Sequence, residues 1–116
     1  MKQFFVPREF ACPCCGETRM DEDFTILLNK ARSKADIPFK ITSGFRCPAH
    51  NKKVGGTETS SHLKGRAVDI AVDGSMERFK ILSALLRTGF KRIGVAKTFI
   101  HVDLDTDKVQ NVTWVY

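Results

Sequence analysis

Histidine is scarce in this chain: His50, His62 and His101 are the only three. Two of them stand in company that points to a metal. His62 precedes Asp69 in the stretch Ser60-Ser61-His62-Leu63-Lys64-Gly65-Arg66-Ala67-Val68-Asp69. Gly65 permits a tight turn between the two, so a loop histidine and a strand aspartate can converge on one point. His101 lies in Phe99-Ile100-His101-Val102-Asp103. On a strand, alternation puts His101 and Asp103 on one face and Ile100 and Val102 on the other. Two neutral imidazoles and one carboxylate are sufficient protein ligands for a catalytic zinc ion, at ~2.0–2.2 Å, with a fourth position left for water. Zinc would bring that water's pKa to about 7 and polarise a substrate carbonyl. Residue types alone leave a plainer reading open. Most aspartates beside strands are turn or surface residues, and most histidines are half-buried and hydrogen-bonded.

The elements that must carry these residues can be read from the pattern. Phe24, Leu27, Leu28, Ala31 and Ala35 recur at helical spacing, which predicts a helix over about 22–35, capped by Asp21 or Asp23. A short apolar run at 39–42 reads as a strand. Residues 43–61 read as one long loop, punctuated by Gly44, Pro48, Gly55 and Gly56. A loop of that length in so small a domain usually has a function. Residues 66–73 alternate as a strand. A second helix is expected over about 76–88, capped by Ser75, with Phe79, Leu82, Leu85 and Leu86 as its apolar face and Gly89 ending it. Strands near 91–96, 98–104 and 110–115 complete the chain, and residues 1–20 form an irregular N-terminal segment. The order predicts an α+β fold: a small antiparallel sheet with helices packed against it and the metal site on the sheet face.

Bulk properties narrow the function classes. The 116 residues, 42% hydrophobic, make one domain. A net charge of +6 favours polyanions, cell wall polymers among them. The cations are scattered, however, with no basic arm and no interleaved stacking aromatics, so nucleic acid is not the expected ligand. No window approaches the ~20 apolar residues of a membrane span. The N-terminus carries no apolar stretch long enough for a signal peptide, so synthesis in the cytoplasm is expected, with free thiols as the default for Cys12, Cys14, Cys15 and Cys47. Cys12 and Cys15 have the two-residue gap common in zinc sites, but the matching second pair is missing. A structural metal site, a disulfide and free thiols bracing the N-terminal segment all stay open.

The wider pattern is more specific. Ile41-Thr42-Ser43-Gly44-Phe45-Arg46-Cys47-Pro48-Ala49-His50-Asn51, then Val54-Gly55-Gly56, then the block from Ser60 to Ile70, then Phe99 to Asp103, resembles the D-alanyl-D-alanine carboxypeptidase family of zinc peptidases. The likeness is to its short phage and bacterial members and covers roughly residues 22–105. It implies His62, Asp69 and His101 as zinc ligands. It implies that Arg46 faces the active site, to stabilise an oxyanion or hold a substrate carboxylate. Ser60 matches a family serine that would bond substrate or brace the loop. His50 is expected to make a loop hydrogen bond.

One position departs from the family. Many members carry Asp or Glu three residues before the second histidine, as general base; here that residue is Thr98. Asp103 is the best substitute, either as the base or as the group that orients the His101 imidazole. Asp105 and Asp73 are weaker candidates. The resemblance implies a monomeric zinc enzyme that hydrolyses a peptide bond of the peptidoglycan stem peptide, next to D-alanine or between L-alanine and D-glutamate. Without an export signal, a phage or prophage origin fits, with action on the wall after release or from the virion. A module that binds wall without cutting it is the alternative.

Overall fold

Phe24, Leu28, Ala31 and Ala35 form the buried stripe of helix α1 (Glu22–Ala35) in the computed structural model, which describes residues 2–116. Asp21 caps the helix by accepting the Phe24 N–H at 3.0 Å, and Arg32 and Lys34 lie in its last turn, where cations complement the helix dipole. Strand β1 (Ile41–Ser43) follows. The stretch read as one long loop then contains a helix, α2 (Pro48–Lys53). Pro48 pre-sets its first turn and Cys47 caps it, a start signal obscured by the surrounding polar residues. A 3-10 turn, Ser61–Lys64, leads into β2 (Ala67–Ala71). Helix α3 (Gly74–Thr88) and strands β3 (Arg92–Val95), β4 (Phe99–Asp103) and β5 (Val112–Val115) complete the order. In the N-terminal segment a 3-10 turn spans Pro7–Phe10.

The five strands form one sheet in the order β1-β2-β4-β3-β5. Neighbours are antiparallel except β3 and β5, which run parallel. Alternation divides the sheet cleanly. Val68, Ile70, Ile93, Ile100 and Val102 belong to the core built with α1 and α3. Asp69, His101, Asp103 and Gly94 alternate with these residues and belong to the opposite face. The sheet therefore has one apolar, helix-covered face and one face free to carry chemistry.

Helix α3 departs from its expected start and face. It begins at Gly74 with Asp73 at the cap, and the Glu77 carboxylate accepts the Asp73 N–H at 3.0 Å. Its buried residues are Ile81, Ala84 and Leu85, with Leu82 partly buried; Phe79 is 72% exposed and Leu86 53%. Two apolar stripes compete on this helix. The stripe containing the small Ala84 wins, because α1 packs against α3 with its own small residues, Ala31 and Ala35, in the same core.

Leu85→Ala is therefore expected to cost 2–5 kcal/mol on urea unfolding, whereas Leu86→Ala stays within about 0.5 kcal/mol. Equal losses would show that the helix is rotated from this orientation.

Candidate metal centre

A single row across the sheet sets the site. Ser43 pairs with Asp69, Asp69 with His101, His101 with Gly94, and Gly94 with Trp114. Asp69 and His101 are thus fixed as neighbours by the β2–β4 register. His62 reaches them from the 3-10 turn, whose geometry depends on Gly65. Gly65 is left-handed (φ 67), and a Cβ there would collide with the Arg19 carbonyl, so the loop closes against the N-terminal segment only with glycine. Ser60 caps this turn, its hydroxyl accepting the His62 N–H at 3.3 Å.

The three side chains meet. His62 Nε2 lies 3.4 Å from Asp69 Oδ1, and His101 Nδ1 lies 3.0 Å from the same oxygen. The two imidazole centroids are 5.2 Å apart. The other ring nitrogens have partners of their own. His62 Nδ1 is 2.8 Å from the Gly44 carbonyl, and His101 Nε2 is 2.8 Å from Asp103 Oδ2. With the neutral rings protonated on these outer nitrogens, His62 Nε2 and His101 Nδ1 turn lone pairs toward Asp69, the form that takes a metal. In the metal-free protein the 3.0 Å contact equally accommodates a second proton on His101, donated to Asp69. Two imidazole lone pairs and a carboxylate oxygen within 4.8 Å of one another form a point that attracts a cation. This donor set fits zinc, with a hydrogen-bonded partner behind each histidine.

Asp103 shares the face of His101, as alternation requires, but stands on the far side of the imidazole from Asp69. It is 1% exposed, and both its oxygens are engaged. Oδ2 takes the His101 N–H, while Oδ1 accepts from Arg92 Nε at 2.8 Å and the Asp105 N–H at 3.1 Å. Arg46 is held from three sides: Nε on Ser43 Oγ at 3.2 Å, Nη1 on Asn51 Oδ1 at 3.3 Å, and Nη2 3.7 Å from Asp69 Oδ2. Asp105 is equally buried, bound by Ser61 Oγ at 2.7 Å and Lys64 Nζ at 2.9 Å, so it pins the turn that carries His62. It does not line the cleft, nor does Asp73 at the start of α3. Thr98 is exposed in the β3–β4 turn, its carbonyl accepting the Val72 N–H at 2.9 Å. The backbone N–H of His50 bonds the Cys47 sulfur at 3.4 Å, and this histidine stands outside the group.

A cleft of about 370 Å³ opens over the three residues. Arg46, Ser60, Arg92 and Lys108 are among its polar walls, and Phe99, Trp114 and Tyr116 supply its aromatic side. Trp114 lies 5.5 Å from His101, ring to ring, and Arg92 stacks over it at 5.0 Å. Gly94 makes room for it: a Cβ there would sit 2.5 Å from the indole nitrogen. Sequence reasoning overlooked the aromatic wall, Arg92 and Asn51. A glycine in the middle of a strand was the available signal for the first.

The electrostatics follow from this packing. Burial pushes the Asp69 carboxyl upward, but hydrogen bonds and charge from His101 and His62 more than offset it, leaving it well below the usual range. Burial likewise opposes the charged form of His101, yet Asp103 and Asp69 raise its pKa. Asp103 is itself lowered, the contacts with His101, the Asp105 N–H and Arg92 outweighing its burial.

The sheet of this α+β protein thus carries a His/Asp/His group that could hold a metal ion. The chain matches the Peptidase M15 family over residues 3–103 and belongs to that family of zinc-dependent metallopeptidases. No curated protein matches the chain.

These shifts set a pH window for the metal-stripped protein. The lowered Asp69 and Asp103 stabilise the fold above about pH 4, and that contribution is lost as pH falls through their folded values. The raised His101 contributes fully below about pH 6.5, and its share is lost as pH rises through its folded value. Thermal melts in chelator are expected to peak between about pH 4 and 6.5. The alkaline decline should be smaller in His101→Asn; a Tm that climbs steadily above about pH 7 would contradict the assignment.

Proposed function

We propose that this chain is a peptidoglycan hydrolase that cuts the stem peptide, of D-alanyl-D-alanine carboxypeptidase or endopeptidase type, with zinc held by His62, Asp69 and His101. The observation that carries this reading is the pair of imidazole nitrogens converging on Asp69 in a cleft lined by Arg46. When bound there, zinc supplies Lewis-acid polarisation of a peptide carbonyl and acidification of water.

The chain's own residues supply the rest. Arg46, immobilised by Ser43, Asn51 and Asp69, presents a fixed cation to the cleft. It is placed to bind the oxyanion that develops on the carbonyl, or the substrate's terminal carboxylate. The Ser60 hydroxyl, on the cleft wall, offers a hydrogen bond to substrate. Trp114 and Tyr116 give the peptide an apolar surface, and the Tyr116 phenol adds a hydrogen-bond donor at the cleft. Arg92 and Lys108 favour an anionic stem peptide.

Asp103 is a positioning residue in this proposal. It holds the Nε2 proton of His101 and so directs Nδ1 into the site. That role leaves the proton acceptor unassigned among the described residues, because the only carboxylates lining the cleft are Asp69 and Asp103. The same observation supports a second reading, a zinc-containing module that binds wall without cleaving it.

Mass analysis of purified muropeptides incubated with zinc-loaded protein separates the two. The hydrolase is expected to release D-alanine or a shortened stem peptide, and to lose this on chelation. Arg46→Ala should lower kcat/KM by about 10²–10³. Asp103→Asn should weaken zinc binding by about 10–100-fold. Intact muropeptides, bound but uncut by zinc-loaded protein, would establish the module instead.

A further inference from the structure

Three of the four cysteines gather at a second point on the N-terminal segment, and the fourth lies on the same turn. Cys12, Cys14 and Cys15 come from the turn Cys12-Pro13-Cys14-Cys15-Gly16, and Cys47 caps α2. The sulfurs of Cys12, Cys15 and Cys47 all lie within 4.8 Å of one another. The turn is closed by the Gly16 N–H on the Cys12 carbonyl at 2.7 Å and the Cys12 N–H on the Glu17 carbonyl at 2.8 Å, with Gly16 left-handed at φ 76.

We infer that Cys12, Cys15 and Cys47 hold a second, structural zinc ion as thiolates, with Cys14 as the fourth sulfur. Three observations carry this. First, Cys12 Sγ and Cys47 Sγ are 3.7 Å apart. Two sulfurs at tetrahedral zinc, each ~2.3 Å from the metal, stand about 3.8 Å apart, whereas a disulfide needs about 2.05 Å. Second, the sulfurs accept backbone hydrogen bonds: Cys12 Sγ takes the Cys47 N–H at 3.4 Å, and Cys47 Sγ takes the His50 N–H at 3.4 Å. Such donors stabilise a metal-bound thiolate more than a neutral thiol. Third, Cys14 stands in the same closed turn, exposed and next to Cys15, as the sulfur available for the remaining position. On binding, each thiol gives its proton to solvent as its sulfur–zinc bond forms, so no oxidant is required.

The location gives the ion a purpose. It ties the N-terminal turn to the segment 44–47, which carries two parts of the first site: the Gly44 carbonyl behind His62 and the Arg46 guanidinium. The same strip is joined by the Phe45 N–H on the Phe10 carbonyl at 2.9 Å, and a Cβ on Gly44 would sit 2.7 Å from the Phe10 backbone. The thiolate zinc is the cross-link that holds this strip closed.

Metal analysis of protein purified without reductant or chelator tests the inference separately from the proposed activity. About two zinc ions per chain are expected in the native protein, and about one in His62→Ala/Asp69→Ala. Cobalt-loaded native protein and that double variant should both show sulfur-to-cobalt charge-transfer absorption. Cys12→Ser/Cys47→Ser should lose the absorption and about one zinc ion. If the first site failed to bind metal while the second held it, the native protein would show about one zinc ion with the sulfur signature intact, still in favour of the inference. Absence of that signature from cobalt-loaded native protein, which involves no folding variant, overturns it. So does an intact mass showing that Cys12 and Cys47 are oxidised to a disulfide.

Discussion

Three groups that repel one another as bare acceptors are held within hydrogen-bonding distance, and the molecule is organised around keeping them there. The oxygen of Asp69 faces lone pairs of His62 and His101 at 3.4 and 3.0 Å. In the neutral rings the single N–H of each imidazole is committed behind the site, to the Gly44 carbonyl in one case and to Asp103 in the other. The two outer hydrogen bonds make the centre a demand for positive charge. A proton on His101 can meet that demand in part; a divalent cation meets it from all three sides.

The fold supplies this arrangement by separating duties across one sheet. The face carrying Ile70, Ile100 and Val102 joins the helices in a continuous apolar core, so the register between β2 and β4 cannot slip without moving every buried side chain to the wrong side. That register makes Asp69 and His101 opposite partners. The third ligand comes from outside the sheet and needs separate anchoring, which the buried Asp105 provides through Ser61 and Lys64. A buried charge is costly unless fully paired, and Asp105 is paired on both oxygens. The N-terminal segment, which lacks long regular structure, closes the arrangement through Phe10, Arg19 and the cysteine turn.

Much of this was legible in the residues themselves. The helix over 22–35 is announced by its spacing and its cap, and β2 and β4 by their alternation. The His62–Asp69 and His101–Asp103 spacings bear their meaning openly, since turn and strand geometry dictate where such residues point. Other features depend on tertiary context that no local pattern contains. Helix α3 offers two apolar stripes, and only its packing against α1 chooses between them. Helix α2 is too short and too polar for periodicity to reveal. The parallel pairing of β5 with β3, which brings Trp114 beside His101, is a long-range choice signalled only by Gly94. Spacing could place Asp103 on the face of His101, but not show that the imidazole itself stands between Asp103 and the centre.

The central claim concerns which atoms hold the ion, so the direct test is an anomalous difference map at the zinc edge from crystals of the zinc-loaded protein. The account predicts a peak about 2.0–2.2 Å from His62 Nε2, Asp69 Oδ1 and His101 Nδ1, with Asp103 still bonded to the opposite nitrogen of His101. A peak bound through His101 Nε2, or no peak beside Asp69 at full zinc loading, would contradict it.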